Sequence, residues 1–175
     1  SVEYRFGNKS IYLFSPDDVE KYRKELNIKE HNDSTIKEDF FEFLEERDYS
    51  LSYKMPFLLA IVKRIDSIGD AKIEEVVNDY IAFYQDRLSR GLQVDRSTCP
   101  YDEKMLKDRK AVQRNMLTNP FEKFERKRFL YYSKDLSVIS MNHALFEKMK
   151  EEDWERVRRQ MREDLRKYYD GMGGV

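Results

Sequence analysis

A chain of 175 residues with 38% charged and 14% aromatic side chains is long enough to form one domain with a substantial core. Its 12 tyrosines and 11 phenylalanines exclude a disordered chain, which would have the charge without the aromatics. The net charge of −1 excludes a protein that binds polyanions through its overall composition.

The cysteine content bears on the compartment. A single cysteine, Cys99, excludes an internal disulfide and favours a reducing environment. No apolar run approaches the roughly 18 residues of a membrane span, and no signal peptide is apparent. We therefore expect a cytoplasmic protein without a membrane partner. Because the chain begins at Ser1 rather than at a methionine, we also expect a fragment of a longer protein.

The first 50 residues are predicted to form a β-hairpin and two helices. Strand-like segments on both sides of Gly7 and Asn8 are typical of a hairpin. Ser15, a proline and two acids are typical of a helix start, and this helix is expected to end near Leu26. The second helix is expected to bury four apolar side chains, Ile36, Phe40, Phe43 and Leu44.

Residues 50–68 contain the longest apolar run, and apolar side chains occur on nearly every side of the predicted helix. This pattern indicates a central helix surrounded by others. Because a proline disfavours helical geometry at the residue before it, we expect regular helix from Pro56 onward. A second apolar helix is predicted from Ile73 to Arg90, where residues recur at helical spacing before Gly91.

The next predicted elements are less apolar. Residues 92–102 are expected to be irregular, and one polar helix is expected over 103–117. Asn119 is predicted to cap a short helix that ends near Arg126. Residues 129–140 then change to a second β-hairpin with its turn at 133–135.

Two helices are predicted at the C-terminus, a short one capped by Asn142 and a long one over 151–169. Trp154, Tyr168 and Tyr169 have two interpretations, a platform on which bases stack or part of the core. Their helical spacing beside other apolar residues favours the core.

The predicted fold is therefore mainly α with two small β-hairpins. Its middle is winged-helix-like, with three helices plus a wing, and helices flank it on both sides. We divide the chain into residues 1–50, 51–141 and 142–175, packed as one compact unit.

The charge is unevenly distributed along the chain. Residues 1–50 contain 13 acids and 8 bases, whereas residues 102–135 contain 10 bases and 6 acids. A winged helix places its third helix and wing near DNA phosphates, where cations displace counterions. The predicted nucleic-acid contacts are Lys107, Arg109, Lys110, Arg114, Lys123, Arg126, Lys127, Arg128 and Lys134. The alternative is that these residues are the solvent-exposed faces of ordinary helices in a protein-docking module.

Other chemistries have weaker signals. A metal-dependent nuclease would use Glu125 with Asp102 or Asp108, but Glu125 precedes the predicted strand. His31 and His143 lack partners at metal-ligand spacing, and Cys99 has no evident base. The glycines are scattered rather than grouped in a phosphate-binding loop. We therefore expect no catalytic residue, metal or cofactor in this chain.

The run from Asp48 to Leu59, DYSLSYKMPFLL, resembles a segment in the C-terminal accessory regions of bacterial superfamily-II (DEAD/DEAH-like) helicases, which often accompany restriction or defence genes. The YIAFYQDR run at 80–87, the Asn119 helix start and the hairpin before Asn142 are similar as well. The resemblance covers about residues 35–170 and implies an accessory domain whose ATPase lies elsewhere in the parent protein. We expect it to contact DNA or RNA or to brace the motor domains; the alternatives are a protein-interaction module and, third, a nuclease.

Overall fold

A computed structural model describes residues 2–6, 9–13, 15–25 and 31–172. The chain is mainly helical, with one two-stranded and one three-stranded antiparallel sheet. It divides into two compact units, residues 1–35 and 36–175. Residues 36–50 thus group with the second unit, whereas our sequence-based division placed them in the first segment. Within the described ranges, no helix has the length and apolarity that crossing a membrane requires.

The first unit contains the predicted hairpin and helix. Strands β1 (Val2–Phe6) and β2 (Lys9–Leu13) pair antiparallel, and helix α1 spans Pro16–Glu25. The backbone N–H of Asp18 donates to Ser15 Oγ at 3.1 Å, and Asp18 accepts from the Ser15 N–H in return. This reciprocal cap confirms the predicted helix start. The predicted turn at Gly7 and Asn8 and the helix end near Leu26 lie outside the described residues.

The second unit is built around helix α3 (Lys54–Arg64), which follows α2 (Ile36–Glu45). Eight of its residues are buried, which confirms the predicted central helix: Lys54, Met55, Pro56, Phe57, Leu58, Ala60, Ile61 and Val62. The expected start at Pro56 is wrong, because α3 begins two residues earlier. Pro56 occupies the first turn, where backbone N–H groups have no partner within the helix, so the missing donor costs little.

A short strand, β3 (Asp70–Lys72), separates α3 from the long helix α4 (Ile73–Ser89). Gly69 lies in the turn before β3 and Gly91 in the turn after α4, with φ of 89° and 67°, so the predicted helix end at Gly91 is confirmed. The single helix predicted over 103–117 is wrong, because α5 (Glu103–Lys107) and α6 (Arg109–Met116) form instead. Asp108 between them accepts from the Ala111 N–H at 3.1 Å and caps α6.

A wide helical turn, Leu117–Phe121, connects α6 to helix α7 (Glu122–Arg126) and contains a cis bond between Asn119 and Pro120. Asn119 has extended backbone, and α7 has no side-chain cap. The predicted capping role of Asn119 is therefore wrong, although the short helix itself is confirmed.

Strands β4 (Leu130–Ser133) and β5 (Val138–Met141) confirm the second hairpin. Strand β3 pairs with β5, so the sheet order is β3-β5-β4. Ser140 Oγ donates to Asp70 Oδ1 at 2.6 Å across this pairing. The hairpin is thereby joined to the connection between α3 and α4.

Helices α8 (His143–Lys148) and α9 (Glu151–Gly171) complete the second unit. Asn142 accepts from the Leu145 N–H at 3.3 Å, as expected of a cap. In α9 the buried residues follow one stripe, which comprises Val157, Met161, Asp164, Leu165, Tyr168 and Tyr169. Tyr168 and Tyr169 therefore belong to the core, as predicted, and Trp154 is half-buried and packs against it.

Candidate anion-binding cavity

Three charged side chains are almost fully buried in the second unit: Lys54 is 9% exposed, Asp95 5% and Asp164 4%. Burying a charge is costly unless the protein supplies hydrogen bonds or an opposite charge. The partners of each group therefore show whether its burial is compensated within the fold.

The Asp95 carboxylate is fully engaged. Its Oδ2 accepts from the backbone N–H and the hydroxyl of Ser52 at 2.9 and 2.5 Å. Its Oδ1 accepts from the Arg96 N–H at 2.7 Å and from the Tyr168 hydroxyl at 2.6 Å. These donors come from the start of α3, the loop after α4 and the end of α9, so Asp95 connects three parts of the unit.

Asp164 is compensated as well. It accepts from Arg47 Nε at 3.0 Å and from the Tyr49 hydroxyl at 2.7 Å. The hydrogen bond to this carboxylate raises the pKa of Arg47, while burial and the same carboxylate raise the pKa of Tyr49. Burial also raises the pKa of Tyr80 and Tyr84 well above the usual value. These tyrosines stay neutral and serve packing and hydrogen bonding rather than acid–base chemistry.

Lys54 differs from both aspartates. Its ammonium donates to the Phe43 carbonyl at 2.8 Å and lies 3.8 Å from the centre of the Phe43 ring. An ammonium group has three donors, so one carbonyl leaves capacity for further acceptors. Burial lowers the pKa of Lys54 to about 8, and the charges of Glu46 and Asp48 act in the opposite direction. An anion that reaches this amine would relieve the cost of its burial.

A cavity of about 150 Å³ lies beside Lys54. One wall comes from residues 46–53, before α3, and the other from Asn119, Pro120 and α7. This volume is roughly ten times the 10–15 Å³ that one water requires, so it accommodates a small oxyanion. The cavity is also lined by Lys123, Arg126 and Lys127, three of the predicted nucleic-acid contacts.

Cations outnumber acids around the cavity. Lys54, Lys123, Arg126 and Lys127 face two acids, Glu46 and Asp48. Arg126 also lies 3.7 Å from Glu122 in an exposed pair, which is a weak interaction that a ligand can replace. The cavity therefore has a net charge of about +2 when Lys54 is protonated, and its chemistry suits an anion.

Two other predicted contact residues, Lys107 and Arg109, bond to other side chains or backbone of the second unit. Lys107 pairs with Glu103 at 2.7 Å within α5. Arg109 donates to the Asn78 side chain and, at 2.6 Å, to the Glu74 carbonyl, both in α4. Arg109 therefore joins α6 to α4, whereas the Lys107 pair lies within a single helix.

The remaining predicted contacts lie on three separate elements. Lys110 and Arg114 are exposed on α6, Arg128 lies between α7 and β4, and Lys134 lies in the hairpin turn. Among the described residues that line the cavity, none comes from these positions. The structure therefore brings only Lys123, Arg126 and Lys127 together at the cavity, and a contact role for all nine residues stays a prediction.

Our sequence interpretation did not single out Lys54, the residue at the floor of the cavity. Its signal is a charged residue between Tyr53 and Met55, at the edge of the longest apolar run. A lysine in such a run is buried only if its amine finds an acceptor, and here the Phe43 carbonyl supplies it.

The nuclease alternative gains no support from the described residues. Asp102 accepts from the Met105 N–H at 2.7 Å, so it caps α5 as Asp108 caps α6. In the described part of the chain, no three His, Cys, Asp or Glu side chains are grouped to hold a metal ion. Burial raises the pKa of the Cys99 thiol, which lowers its reactivity at neutral pH.

Both histidines lie at the surface of their units. His143 is exposed in the first turn of α8 and lies 3.1 Å from Glu147, and His31 is exposed in a loop.

Searches of protein families, curated proteins and solved structures find no match to this chain. The resemblance to helicase accessory regions stays a prediction.

Proposed function

We propose that this chain is a non-catalytic, nucleic-acid-binding accessory domain of a larger cytoplasmic, helicase-like bacterial enzyme. The observation that carries the proposal is the cavity that buried Lys54 lines together with three cations from α7 and the residue after it, Lys123, Arg126 and Lys127. Phosphate groups are the anions that a nucleic acid offers, and lysine and arginine release counterions when they contact them. The helicase context comes from the resemblance alone.

The order of the elements supports a winged-helix interpretation of the middle of the chain. Helix α3 leads through β3 to α4, and α5 and α6 precede the β4–β5 hairpin. Because β3 pairs beside β5, the hairpin is held against the helices, as a wing requires. In this arrangement α6 presents Lys110 and Arg114, and the hairpin turn presents Lys134. These residues give a second set of phosphate contacts beyond the cavity.

Salt-dependent binding of oligonucleotides tests the proposal. The triple variant K123Q/R126Q/K127Q removes three cations that line the cavity, and R159Q/R162Q/R166Q on the exposed side of α9 changes the net charge equally. For three phosphate contacts, the slope of log K against log salt should fall by roughly 2–3 in the first variant only. The absence of binding at 50 mM salt, or equal slopes for the two variants, would contradict the proposal.

A second candidate, a protein-interaction module that braces the motor domains, is favoured by a different surface. A groove of about 350 Å³ between α3, α4 and α9 has an apolar floor that includes Leu59, Ala60 and Phe83. Its charged lining residues are three cations, Lys63, Arg158 and Arg162, and one acid, Asp79, so its net positive charge fits an acidic amphipathic segment of the parent protein. This candidate predicts a complex with the motor domains that weakens in R158Q/R162Q, together with no oligonucleotide binding.

A further inference from the structure

We infer that the cavity beside Lys54 is a pocket for a terminal phosphate, the phosphomonoester at the end of a nucleic-acid strand, rather than for an internal phosphodiester. The inference rests on the proposed function and names the group that the cavity binds. Three properties of the cavity support it: its size, its net charge and the depth at which Lys54 lies.

The size of the cavity limits what enters. Pockets that enclose drug-sized molecules have volumes of about 300–1000 Å³, whereas this one has about 150 Å³. A phosphate group fits this space, and a base with its sugar stays outside. An internal diester continues as strand on both sides and so needs two openings. Buried Phe43, Tyr53 and Pro120 line the cavity, and their side chains block the second one.

The charge of the cavity matches a dianion. Four cations and two acids leave a net charge of about +2. A phosphomonoester has a charge of about −1.5 to −2 at pH 7 and three acceptor oxygens. An internal phosphodiester has a single negative charge and leaves one cation uncompensated. The terminal group is therefore the better electrostatic partner.

The depth of Lys54 provides discrimination between the two phosphate types. Lys54 is 9% exposed, so a group must enter the cavity to contact it, whereas Arg126 and Lys127 are exposed and Lys123 is half-buried, which places these three toward the rim. A diester that passes over the surface contacts the rim cations alone. A terminal phosphate contacts these cations and also Lys54, whose single hydrogen bond to Phe43 leaves donors for phosphate oxygens.

The pH dependence of binding follows from the two partners. Above about pH 8 the unliganded Lys54 loses its proton, and below about pH 6 the phosphomonoester gains one. The other charged groups that line the cavity are Glu46 and Asp48 on one side, and Lys123, Arg126 and Lys127 on the other. The preference for a terminal phosphate should therefore be greatest between about pH 6 and 8.

Fluorescence anisotropy with short single strands tests the inference. Strands of one sequence have a 5′-phosphate, a 3′-phosphate or hydroxyls at both ends, and the label is at the end opposite the phosphate. A hydroxyl-terminated strand that is one nucleotide longer controls for the added charge. Wild type should bind a phosphorylated strand about tenfold more tightly than both hydroxyl strands, which corresponds to one charge-assisted hydrogen bond. Inorganic phosphate should compete more strongly with the phosphorylated strand than with the hydroxyl strands, which share only the rim cations with it.

Two variants separate this pocket from the surface around it. Lys54→Met should abolish the preference for a terminal phosphate, and Arg126→Gln at the rim should weaken binding of the phosphorylated and the hydroxyl strands alike. Equal binding of all strands by wild type, or a preference that survives in K54M, would overturn the inference while the proposed function stands. If no strand binds at 50 mM salt, the proposed function fails as well.

Discussion

Lys54 and Asp95 are both buried charges near the start of α3, yet the protein treats them differently. Asp95 accepts four hydrogen bonds from three residues, whereas Lys54 donates one to a carbonyl and borders a cavity. The cost of burial is met within the fold for Asp95 and only in part for Lys54. A buried charge with spare bonding capacity next to open space is the better indication of a binding site.

The strongest challenge to this comparison is Asp95→Ala, which leaves Ser52 and Tyr168 without their acceptor. We expect the free energy of unfolding to fall by about 3–5 kcal/mol, because removing one member of a buried charged network leaves the others unsatisfied. Urea denaturation measures it. Asp95→Asn keeps the shape and should cost less, and a loss below about 1 kcal/mol in D95A would contradict a structural role.

The second test is the pH dependence of stability. Because burial disfavours the charged form of Lys54, the protein should become more stable as this amine loses its proton. Its pKa falls from 10.5 in the unfolded chain to about 8 in the folded one, so between these values the unfolded chain binds more protons. The unfolding free energy of wild type should therefore rise relative to K54M, by roughly 2 kcal/mol between pH 7.5 and 9.5. Urea titrations at four pH values measure this difference; parallel curves would show that the amine is not buried as described.

Tyr168→Phe sharpens the comparison by removing one donor to Asp95 without changing the packing. We expect a loss of about 1–2 kcal/mol in unfolding free energy, since three of the four hydrogen bonds remain. Tyr131→Phe on the exposed face of β4 is the matched control and should stay within about 0.5 kcal/mol. Equal effects of the two changes would argue against the Asp95 network.

The smallest expected effects distinguish Arg109, which joins α6 to α4, from the cations that line the cavity. Arg109→Ala removes hydrogen bonds to α4 and should cost about 0.5–1 kcal/mol in stability without altering the salt dependence of oligonucleotide binding. Lys127→Ala should leave stability unchanged and reduce the salt slope by about one. Thermal denaturation and anisotropy titrations measure both; the reverse assignment would show that Arg109 meets phosphate.

The apolar pattern predicted the central helix because Phe57, Leu58 and Ile61 mark its faces within a few residues. It did not predict β3, whose three residues pair with β5 about 70 positions later in the chain. It also placed Asp108 inside a helix, where the competing choice, a side-chain cap, ends α5 and begins α6. The local spacing of apolar residues contains no information on long-range strand pairing or on whether a side chain caps a helix.

The candidate site was predictable only where its residues are close together in the sequence. Lys123, Arg126 and Lys127 are near in sequence, and one short helix with the residue after it places them together. The cavity is also lined by Glu46 and Lys54, which are about 70 residues earlier in the sequence, and only the folded chain brings these segments to α7. Charge density along the sequence therefore pointed to one wall and missed the other.

The central claim is that the fold offsets only part of the cost of burying the Lys54 charge, so that an anion can bind there. NMR on protein labelled at the lysine ¹³Cε carbons tests it most directly. Lys54 is assigned by comparison with K54M, and its titration is followed with and without a terminally phosphorylated strand. We expect a midpoint near pH 8 for the free protein and a clear upward shift with the strand. A midpoint near the ordinary value of about 10.4, or the same midpoint in both samples, would contradict the account.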